Sequence, residues 1–187
     1  MEDVLIWVDE QDREIGYGEK WITHQEEHLH RAFSLFLFRE NDGKLLIHRR
    51  AEGKYHSGGL WTNACCSHPR KGENLRDAVI RRMEEELGLR LPDTALRPGS
   101  LKELGKFQYY QKYDDCAESE IDHVFYLSVC GDDISLCPDP GEITEVRWVT
   151  VRELKDWMAA HPQDFTAWFA PAFSIVEPYL AGEGTRC

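Results

Sequence analysis

The sequence predicts a mixed β-sheet flanked by helices, an α/β or α+β sandwich. Apolar runs of strand length recur along the chain, and helical patterns lie between and after them. The length of 187 residues, of which 42% are hydrophobic and 30% charged, suffices for one good core and is short for two. We therefore expect a single domain over residues 1–187.

Five apolar runs predict strands: VLIWVD near the start, AFSLFLF at 32–38, KLLIHRR at 44–50, DHVFYLSVC at 122–130 and EVRWVTV at 145–151. The second and third runs are joined by RENDG, which is a turn sequence. These two runs therefore predict a hairpin.

The segment between Asn74 and Gly88 predicts an amphipathic helix, with an Asn cap before it and a Gly stop after it. Its apolar residues recur at steps of three and four: Leu75, Ala78, Val79, Met83 and Leu87. VRELKDWMAAH, after Thr150, predicts a second helix. DFTAWFAPAFSIVEPYL predicts a third, which we expect Pro171 and Pro178 to interrupt.

The charge balance argues against a polyanionic partner. The formal net charge is −12, whereas nucleic-acid binding needs clustered Lys and Arg. Residues 44–54 nevertheless hold four Lys or Arg and a single Glu, which suits a small phosphorylated ligand or a solvated charged hairpin. The acidic start and the lack of a membrane-length apolar run lead us to expect a cytoplasmic protein without nucleic-acid or membrane partners.

The cysteines show no CxxC pair and no regular framework, so we expect free thiols. They are Cys65, Cys66, Cys116, Cys130, Cys137 and Cys187.

Residues that could bind a metal ion are concentrated in two segments and beside the thiol pair. They are His24, His28 and His30 in HQEEHLH, His68 after Cys66, and Glu118 and Glu120 in ESE. The two glutamates fall on one side of an extended segment, where they repel each other unless a cation or a proton joins them. Imidazoles and carboxylates together suit Zn²⁺ or Mn²⁺. The alternative is a set of surface histidines beside a solvated strand end.

Residues 67–89 resemble the Nudix box, the acidic helix motif of a family of diphosphate-handling enzymes. The matching positions are Glu73, Arg81, Met83, Glu85, Glu86, Gly88 and Leu89. Ser67 stands in place of the opening Gly, and Arg82 in place of a Glu. A cation at this position repels a metal ion and attracts phosphate, so the resemblance implies diphosphate handling with hydrolysis lost.

Together with WTNACCSHP, the box resembles the type 1 isopentenyl-diphosphate isomerases, which have a Nudix-like fold. The other shared segments, in the order of the family, are EKWITH, HLHRAFSLFLF, LLIHRR, ESEIDHVF and FTAW. The resemblance implies an isomerase of isoprenoid biosynthesis that interconverts isopentenyl and dimethylallyl diphosphate. Such an enzyme adds one proton to the alkene and removes another, through a tertiary carbocation.

The family roles fall on particular positions here. The implied catalytic residues are Cys66, Glu120, Tyr109 and Trp168. The implied ligands of a divalent ion, Mn²⁺ or Zn²⁺, are His24, His30, His68, Glu118 and Glu120. Glu86 and the main-chain carbonyl of Cys66 would hold a substrate-linked Mg²⁺. The implied diphosphate contacts are Lys20, Arg50, Lys54 and Arg82. Tyr110 competes with Tyr109 for its role, and His28 competes with His30.

We expect Glu120 to donate a proton, directly or through Tyr109, and Cys66 to take or return the second one. Nearby cations are expected to lower the pKa of the Cys66 thiol. Cys65 is expected to be a small buried side chain. We expect a monomer or a weak homodimer that acts on a small isoprenoid diphosphate.

Three alternatives remain at this stage. A Nudix pyrophosphohydrolase is disfavoured by Arg82 and leaves Cys66 without a task. A zinc-stabilised binding module would use the histidines and a cysteine structurally. An unrelated thiol enzyme would need a Cys–His pair oriented by a third residue, which no motif supplies.

Overall fold

A computed structural model describes residues 3–90, 100–129 and 134–182. Its strands are β1 (Val4–Val8), β2 (Glu14–Glu19), β3 (His30–Arg39), β4 (Lys44–Arg50), β5 (Trp61–Thr62), β6 (Cys65–Ser67), β7 (Leu101–Lys112), β8 (Ala117–Val129) and β9 (Ile143–Thr150). Its helices are α1 (Lys20–Gln25), α2 (Leu75–Leu87), α3 (Val151–Ala160) and α4 (Phe169–Gly182), with a 3₁₀ turn at Pro162–Asp164. All five predicted strands are present. Cys130, the end of the fourth run, lies outside the described residues.

The strands form one mixed sheet centred on β3. β8 runs parallel to β3 along its whole length, pairing His30 with Glu120 and Arg39 with Val129. On the other edge, β3 pairs with β4 only over residues 37–39, and β6 takes the place of β4 beside residues 33–35. β4 continues outward to β5 and β9. The sheet therefore forks where β3 and β4 separate.

Helices cover both faces of the sheet, which confirms the predicted sandwich. Alternate residues of β3 point to opposite faces, because side chains along a strand have period two. Phe33, Leu35 and Leu37 pack with α2, whereas Phe36 and Phe38 pack with α3 and α4. Each face of the sheet thus has its own apolar core.

The predicted boundaries of α2 are confirmed. The Asn74 side chain accepts a hydrogen bond from the Asp77 N–H, and Gly88 ends the helix in the left-handed region at φ 62°. A Cβ at Gly88 would lie 2.5 Å from the carbonyl oxygen of Cys137, so only glycine fits there. Thr150 and Glu153 form a capping box at the start of α3, which begins directly after Thr150 as predicted.

The prediction that prolines interrupt the last helix is wrong. α4 begins at Phe169 and continues to Gly182. Pro171 lies in its first turn, where a backbone N–H has no partner within the helix. Pro178 lies inside, and burial of residues such as Phe173 and Val176 offsets the lost hydrogen bond.

Five elements of the described structure were not predicted: α1, β2, β5, β6 and β7. β5 and β6 have only two and three residues. α1 is short, β2 is a polar edge strand with two glycines, and β7 alternates exposed and half-buried residues. Their formation depends on pairing and packing with distant segments more than on local apolar patterns.

The four cysteines that the structure describes are free thiols: Cys65, Cys66, Cys116 and Cys137. Cys130 and Cys187 lie outside the described residues. Within the described ranges, no helix combines the length and the apolar character needed to cross a membrane.

Candidate active site

A pocket opens beside the fork of the sheet. It is lined by residues of β3, β6, β7 and β8, the end of β4, and the polar side of α2. Eleven of the thirteen residues predicted from the sequence as site residues line it: Lys20, Arg50, Lys54, Cys66, His68, Arg82, Glu86, Tyr109, Glu118, Glu120 and Trp168. The other two, His24 and His30, lie against its acidic side.

The predicted histidine and glutamate ligands form one buried group. Its members are His24, His30, His68, Glu118 and Glu120, and each has a ligand atom within 4.8 Å of those of the others. Glu118 and Glu120 reach the same side of β8, as period two predicts. His28 lies outside this group, because its ring stacks on Trp7 and bonds Glu26.

Backbone carbonyls orient two of the imidazoles. Nδ1 of His24 donates to the carbonyl oxygen of Lys20 at 2.6 Å, and Nδ1 of His30 donates to that of His28 at 2.8 Å. Each Nε2 atom is thereby turned toward the carboxylates. Metal-binding histidines are characteristically held in this way.

The acidic group fits a divalent cation. Nε2 of His30 and Oε2 of Glu118 are buried without a hydrogen-bond partner among the described residues. Burial raises the pKa of Glu120, but the nearby His30 imidazole, Glu118 and the hydrogen bond from Tyr109 outweigh it and bring the pKa to about 2. Burial and Glu120 raise the pKa of Glu118, but the neighbouring imidazoles of His24 and His56 lower it overall. Two ionised, buried carboxylates and a free imidazole nitrogen match what such an ion requires.

The two neighbouring cysteines point to opposite faces. Cys65 is fully buried in the core beside α2, as predicted. Cys66 pairs with Ser34 across β6 and β3 and lines the pocket. Its Sγ lies 3.9 Å from Nη1 of Arg50 and 4.0 Å from Oγ1 of Thr62.

The expectation that nearby cations lower the pKa of Cys66 is wrong in its net result. Burial raises the pKa of the thiol to about 12, and the favourable charge of Arg50 only partly offsets it. The Cys66 side chain is therefore a neutral thiol that carries its proton.

A buried network of polar side chains holds the segment around the thiol. The hydroxyl of Thr62 donates to Oδ1 of Asn63 at 2.8 Å and accepts from Thr166 at 3.1 Å. Nδ2 of Asn63 donates to the carbonyl oxygens of Leu35 and Cys65. Thr62 and Asn63, which support the thiol segment in this way, were not predicted from the sequence WTNACC.

Tyr109 and Glu120 form a close pair. The hydroxyl of Tyr109 donates to Oε2 of Glu120 at 2.6 Å, and the two residues are directly opposite in the β7–β8 register. Burial raises the pKa of Tyr109 well above its usual value, so the phenol keeps its proton. Tyr110 is 56% exposed and bonds Glu27 instead. The structure therefore brings Tyr109, and not Tyr110, to the pocket.

Trp168 forms an aromatic wall of the pocket. It lies one residue before α4 and is 3% exposed. The guanidinium of Arg50 lies 5.3 Å from the centre of its ring, and the ring of Tyr109 lies 6.3 Å away. A ring face in this position can stabilise a cation.

The four predicted diphosphate contacts also line the pocket, and carboxylates bind two of them. Nε of Arg82 donates to Glu86 at 2.9 Å, and Nζ of Lys54 donates to Glu142 at 2.6 Å. Burial raises the pKa of Glu86, although Arg82 opposes the shift. Burial, with the charges of Lys54 and Arg82, lowers the pKa of Lys20.

Several polar residues of the pocket were not predicted from the sequence, among them His56, Asp122 and Glu142. Asp122 accepts a hydrogen bond from Ser34 at 2.7 Å, and burial raises its pKa well above the usual value. Period two from Glu120 could have indicated it. His56 and Glu142 lie in loops whose sequences carry no such signal.

Comparison with known proteins agrees with this geometry. The NUDIX domain family matches residues 28–169. An isopentenyl-diphosphate Delta-isomerase of Burkholderia multivorans is 44% identical over 170 residues, which is 90% of each chain. One of Photobacterium profundum is 39% identical over 98% of this chain and 99% of its own.

Solved structures show the same fold at low identity. A crystal structure from Deinococcus radiodurans has a TM-score of 0.70 at 22% identity and covers 95% of this chain and 99% of that one. A MutT protein from Methanosarcina mazei has a TM-score of 0.58 at 21% identity, over 81% and 94% of the two chains.

Proposed function

This chain belongs to the Nudix family and, within it, to the isopentenyl-diphosphate Delta-isomerases, and from that premise we propose how its pocket performs the isomerisation. The enzyme interconverts isopentenyl diphosphate and dimethylallyl diphosphate in isoprenoid biosynthesis. The observation that carries the proposal is one pocket that holds Cys66, the Tyr109–Glu120 pair and four cationic side chains.

The reaction moves a double bond without any redox change. One proton is added to the terminal methylene, which leaves a tertiary carbocation on the substituted carbon beside it. The second proton then leaves the CH2 group on the other side of that carbon. The pocket must therefore present two proton-transferring groups and exclude water from the cation.

Cys66 and Glu120, with Tyr109, are the proposed proton-transferring groups. With a pKa of about 12, the Cys66 thiol has a proton to give. With a pKa of about 2, Glu120 is ionised and can accept one, and its hydrogen bond to the Tyr109 hydroxyl links it to a second proton. The Tyr109 phenol beside Glu120 also carries a proton, so this pair can protonate the alkene, as expected from the sequence, while Cys66 takes or returns the second proton. Because the reaction is reversible, each group takes the opposite part in the other direction.

Trp168 is proposed to stabilise the carbocation through the face of its ring. Such an interaction contributes about 2 kcal/mol in a dry site. It cannot carry the barrier alone. Its burial beside Tyr109 also helps to keep water from the reacting carbons.

The cationic side of the pocket is proposed to bind the diphosphate, the end of the substrate that does not react. The contacts would be Lys20, Arg50, Lys54 and Arg82, and their binding energy positions the alkene between the thiol and the carboxylate. A substrate-linked Mg²⁺ would be held by Glu86 and the carbonyl oxygen of Cys66.

We propose Mn²⁺ or Zn²⁺ at the group formed by His24, His30, His68, Glu118 and Glu120. When bound, the ion supplies positive charge that balances the two carboxylates and fixes their positions. The protein's part is to orient the imidazoles by backbone hydrogen bonds and to keep the group dry.

The side chains of α2, the helix that carries the Nudix box, argue against diphosphate hydrolysis, the competing activity. Arg82 and Glu86 are joined by hydrogen bonds, so a guanidinium stands where the hydrolases carry an acidic metal ligand. The likeness to MutT proteins concerns the fold alone.

The two adjacent cysteines allow a matched test of the role of the thiol. Turnover of isopentenyl diphosphate with Mg²⁺ would be measured for the wild type, Cys66→Ala and Cys65→Ala. We expect Cys66→Ala to lose turnover while it retains its metal and fold, and Cys65→Ala to remain active because its side chain faces the core. An active Cys66→Ala enzyme would contradict the proposed role.

The remaining features are also proposals. The continuous sheet supports one domain over residues 1–187. The net charge of −12 supports the absence of nucleic-acid and anionic membrane partners. We further propose a cytoplasmic location and a monomer or weak homodimer.

A further inference from the structure

His56 contacts the predicted metal group from outside it. The residue lies in the loop after β4 and is 6% exposed. Its Nε2 forms a close ion-pair contact with Oε1 of Glu118. An ionised carboxylate oxygen only accepts hydrogen bonds, so Nε2 of His56 is the donor.

The other side of the His56 ring is held as well. Its Nδ1 lies 3.2 Å from Oγ of Ser57, which lies 3.0 Å from the hydroxyl of Tyr113. The imidazole also stacks on the ring of Tyr113, with 4.7 Å between centroids and 25° between planes. Ser57 adopts φ 52°, a left-handed conformation that a residue other than glycine seldom takes. Ser57 keeps this unusual conformation in a structure where both ring nitrogens of His56 have contacts, Nε2 with Glu118 and Nδ1 with Ser57.

Glu118 is thereby left with one available oxygen. Oε1 is taken by His56, whereas Oε2 is buried, has no hydrogen-bond partner among the described residues and lies 3.5 Å from Nε2 of His24. We propose that His56 is a positioning residue that fixes Glu118 so that Oε2 alone faces a divalent cation in the histidine and glutamate group. Ser57 and Tyr113 hold His56 in this orientation.

A direct ligand role for His56 is less consistent with the geometry. The ligand atoms of the five-residue group lie within 4.8 Å of one another, and the group does not include His56. The nitrogen of His56 that faces the group is already used by Glu118. Partners that hold a ligand in this way typically change metal affinity by about 10- to 100-fold when they are removed.

The test measures metal affinity without substrate, so it is independent of turnover, although it rests on the proposed metal site. Metal-free wild type, His56→Phe and His56→Gln would be titrated with Mn²⁺, with free Mn²⁺ followed by its electron paramagnetic resonance signal. Phe keeps a ring against Tyr113 without the donor, whereas Gln places an N–H near the position of Nε2. His161→Phe, an exposed histidine away from the pocket, is the control.

We expect one Mn²⁺ site in the wild type, a Kd about 10- to 100-fold higher in His56→Phe, partial recovery in His56→Gln and no change in the control. An affinity of His56→Phe within twofold of the wild type, or equal losses in the Phe and Gln variants, would overturn the proposal. If His56→Phe does not fold, Ser57→Ala is titrated in its place. We expect it to lose less Mn²⁺ affinity than His56→Phe, and a Kd equal to that of the wild type would contradict the role. A wild type that binds no Mn²⁺ would remove the metal site and this inference together, while isomerase activity would still be tested by turnover.

Discussion

Replacement of Arg82 by Met tests the ion pair between Arg82 and Glu86 on α2. This pair distinguishes the Nudix-box helix of this protein from that of a hydrolase. Glu86 is 3% exposed, and its Oε1 accepts hydrogen bonds from Nε and Nη2 of Arg82. Met keeps the apolar stem and removes the charge. The variant therefore leaves a buried carboxylate without its cation.

The expected loss of stability depends on pH, because the stranded carboxylate can take up a proton. Breaking a buried pair generally costs about 3–5 kcal/mol. Protonating a carboxyl whose usual pKa is 4.5 costs about 1.4 kcal/mol per pH unit, or about 3.4 kcal/mol at pH 7. At pH 5 the same calculation gives about 0.7 kcal/mol. The route of lower cost sets the loss, and the wild type already bears part of this cost because the pKa of its Glu86 is raised. We therefore expect at most about 3 kcal/mol at pH 7 and below 1 kcal/mol at pH 5.

The sign of this dependence follows from the direction of the pKa shift. Burial already raises the pKa of Glu86 in the folded protein, and removing Arg82 raises it further. A carboxyl with a raised folded pKa costs no stability below its unfolded pKa, and its cost grows as the pH rises above that value. The penalty of Arg82→Met must therefore increase with pH once the pH exceeds the raised pKa that Glu86 has in the wild type.

Urea unfolding of wild type and Arg82→Met at pH 5, 6 and 7 gives the free energies. The matched control is the same substitution in a Glu86→Gln background, where no carboxylate is stranded and the penalty should be small at every pH. A penalty in Arg82→Met that is constant with pH, or larger at pH 5, would refute the reasoning.

Four further predictions concern the catalytic side of the pocket. Glu120→Gln should retain diphosphate binding, measured by titration calorimetry with dimethylallyl diphosphate, and lose turnover; a near-normal rate would transfer its role to another group. Tyr109→Phe removes the donor to Glu120 and should lower kcat by about 100-fold or more with little change in KM, whereas an unchanged kcat would exclude proton transfer through the phenol. Thr62→Val strands two buried partners and should cost about 2–4 kcal/mol in urea unfolding, with Thr62→Ser recovering most of it; equal losses would point to packing instead. Chelation of the metal should lower Tm because the two buried carboxylates then face each other unbalanced, and Mn²⁺ or Zn²⁺ should restore it; a Tm that is insensitive to both treatments would argue against the metal group.

Local patterns predicted much of the fold and the shape of the acidic group. Period two placed Glu118 and Glu120 on one side of β8, and the Asn and Gly signals fixed both ends of α2. The resemblance to a family supplied the roles, and register then separated Tyr109 from Tyr110.

What the sequence could not supply depends on burial and on contacts between distant segments. The pKa of Cys66 follows from how completely the fold removes the thiol from water, which no spacing reveals. Glu142 accepts a hydrogen bond from Lys54, which lies 88 residues earlier in the sequence. His56 contacts Glu118 from a loop that adopts a left-handed conformation at Ser57, 61 positions earlier in the chain than Glu118. Such features appear only when the chain is folded.

The central claim is isomerisation by proton addition and removal in a single pocket. A proton NMR time course of the protein with isopentenyl diphosphate and Mg²⁺ in D₂O tests it most directly. We predict dimethylallyl diphosphate with deuterium in the new methyl group. Release of phosphate or pyrophosphate without isomerisation, or no conversion by folded, metal-loaded protein, would contradict the claim.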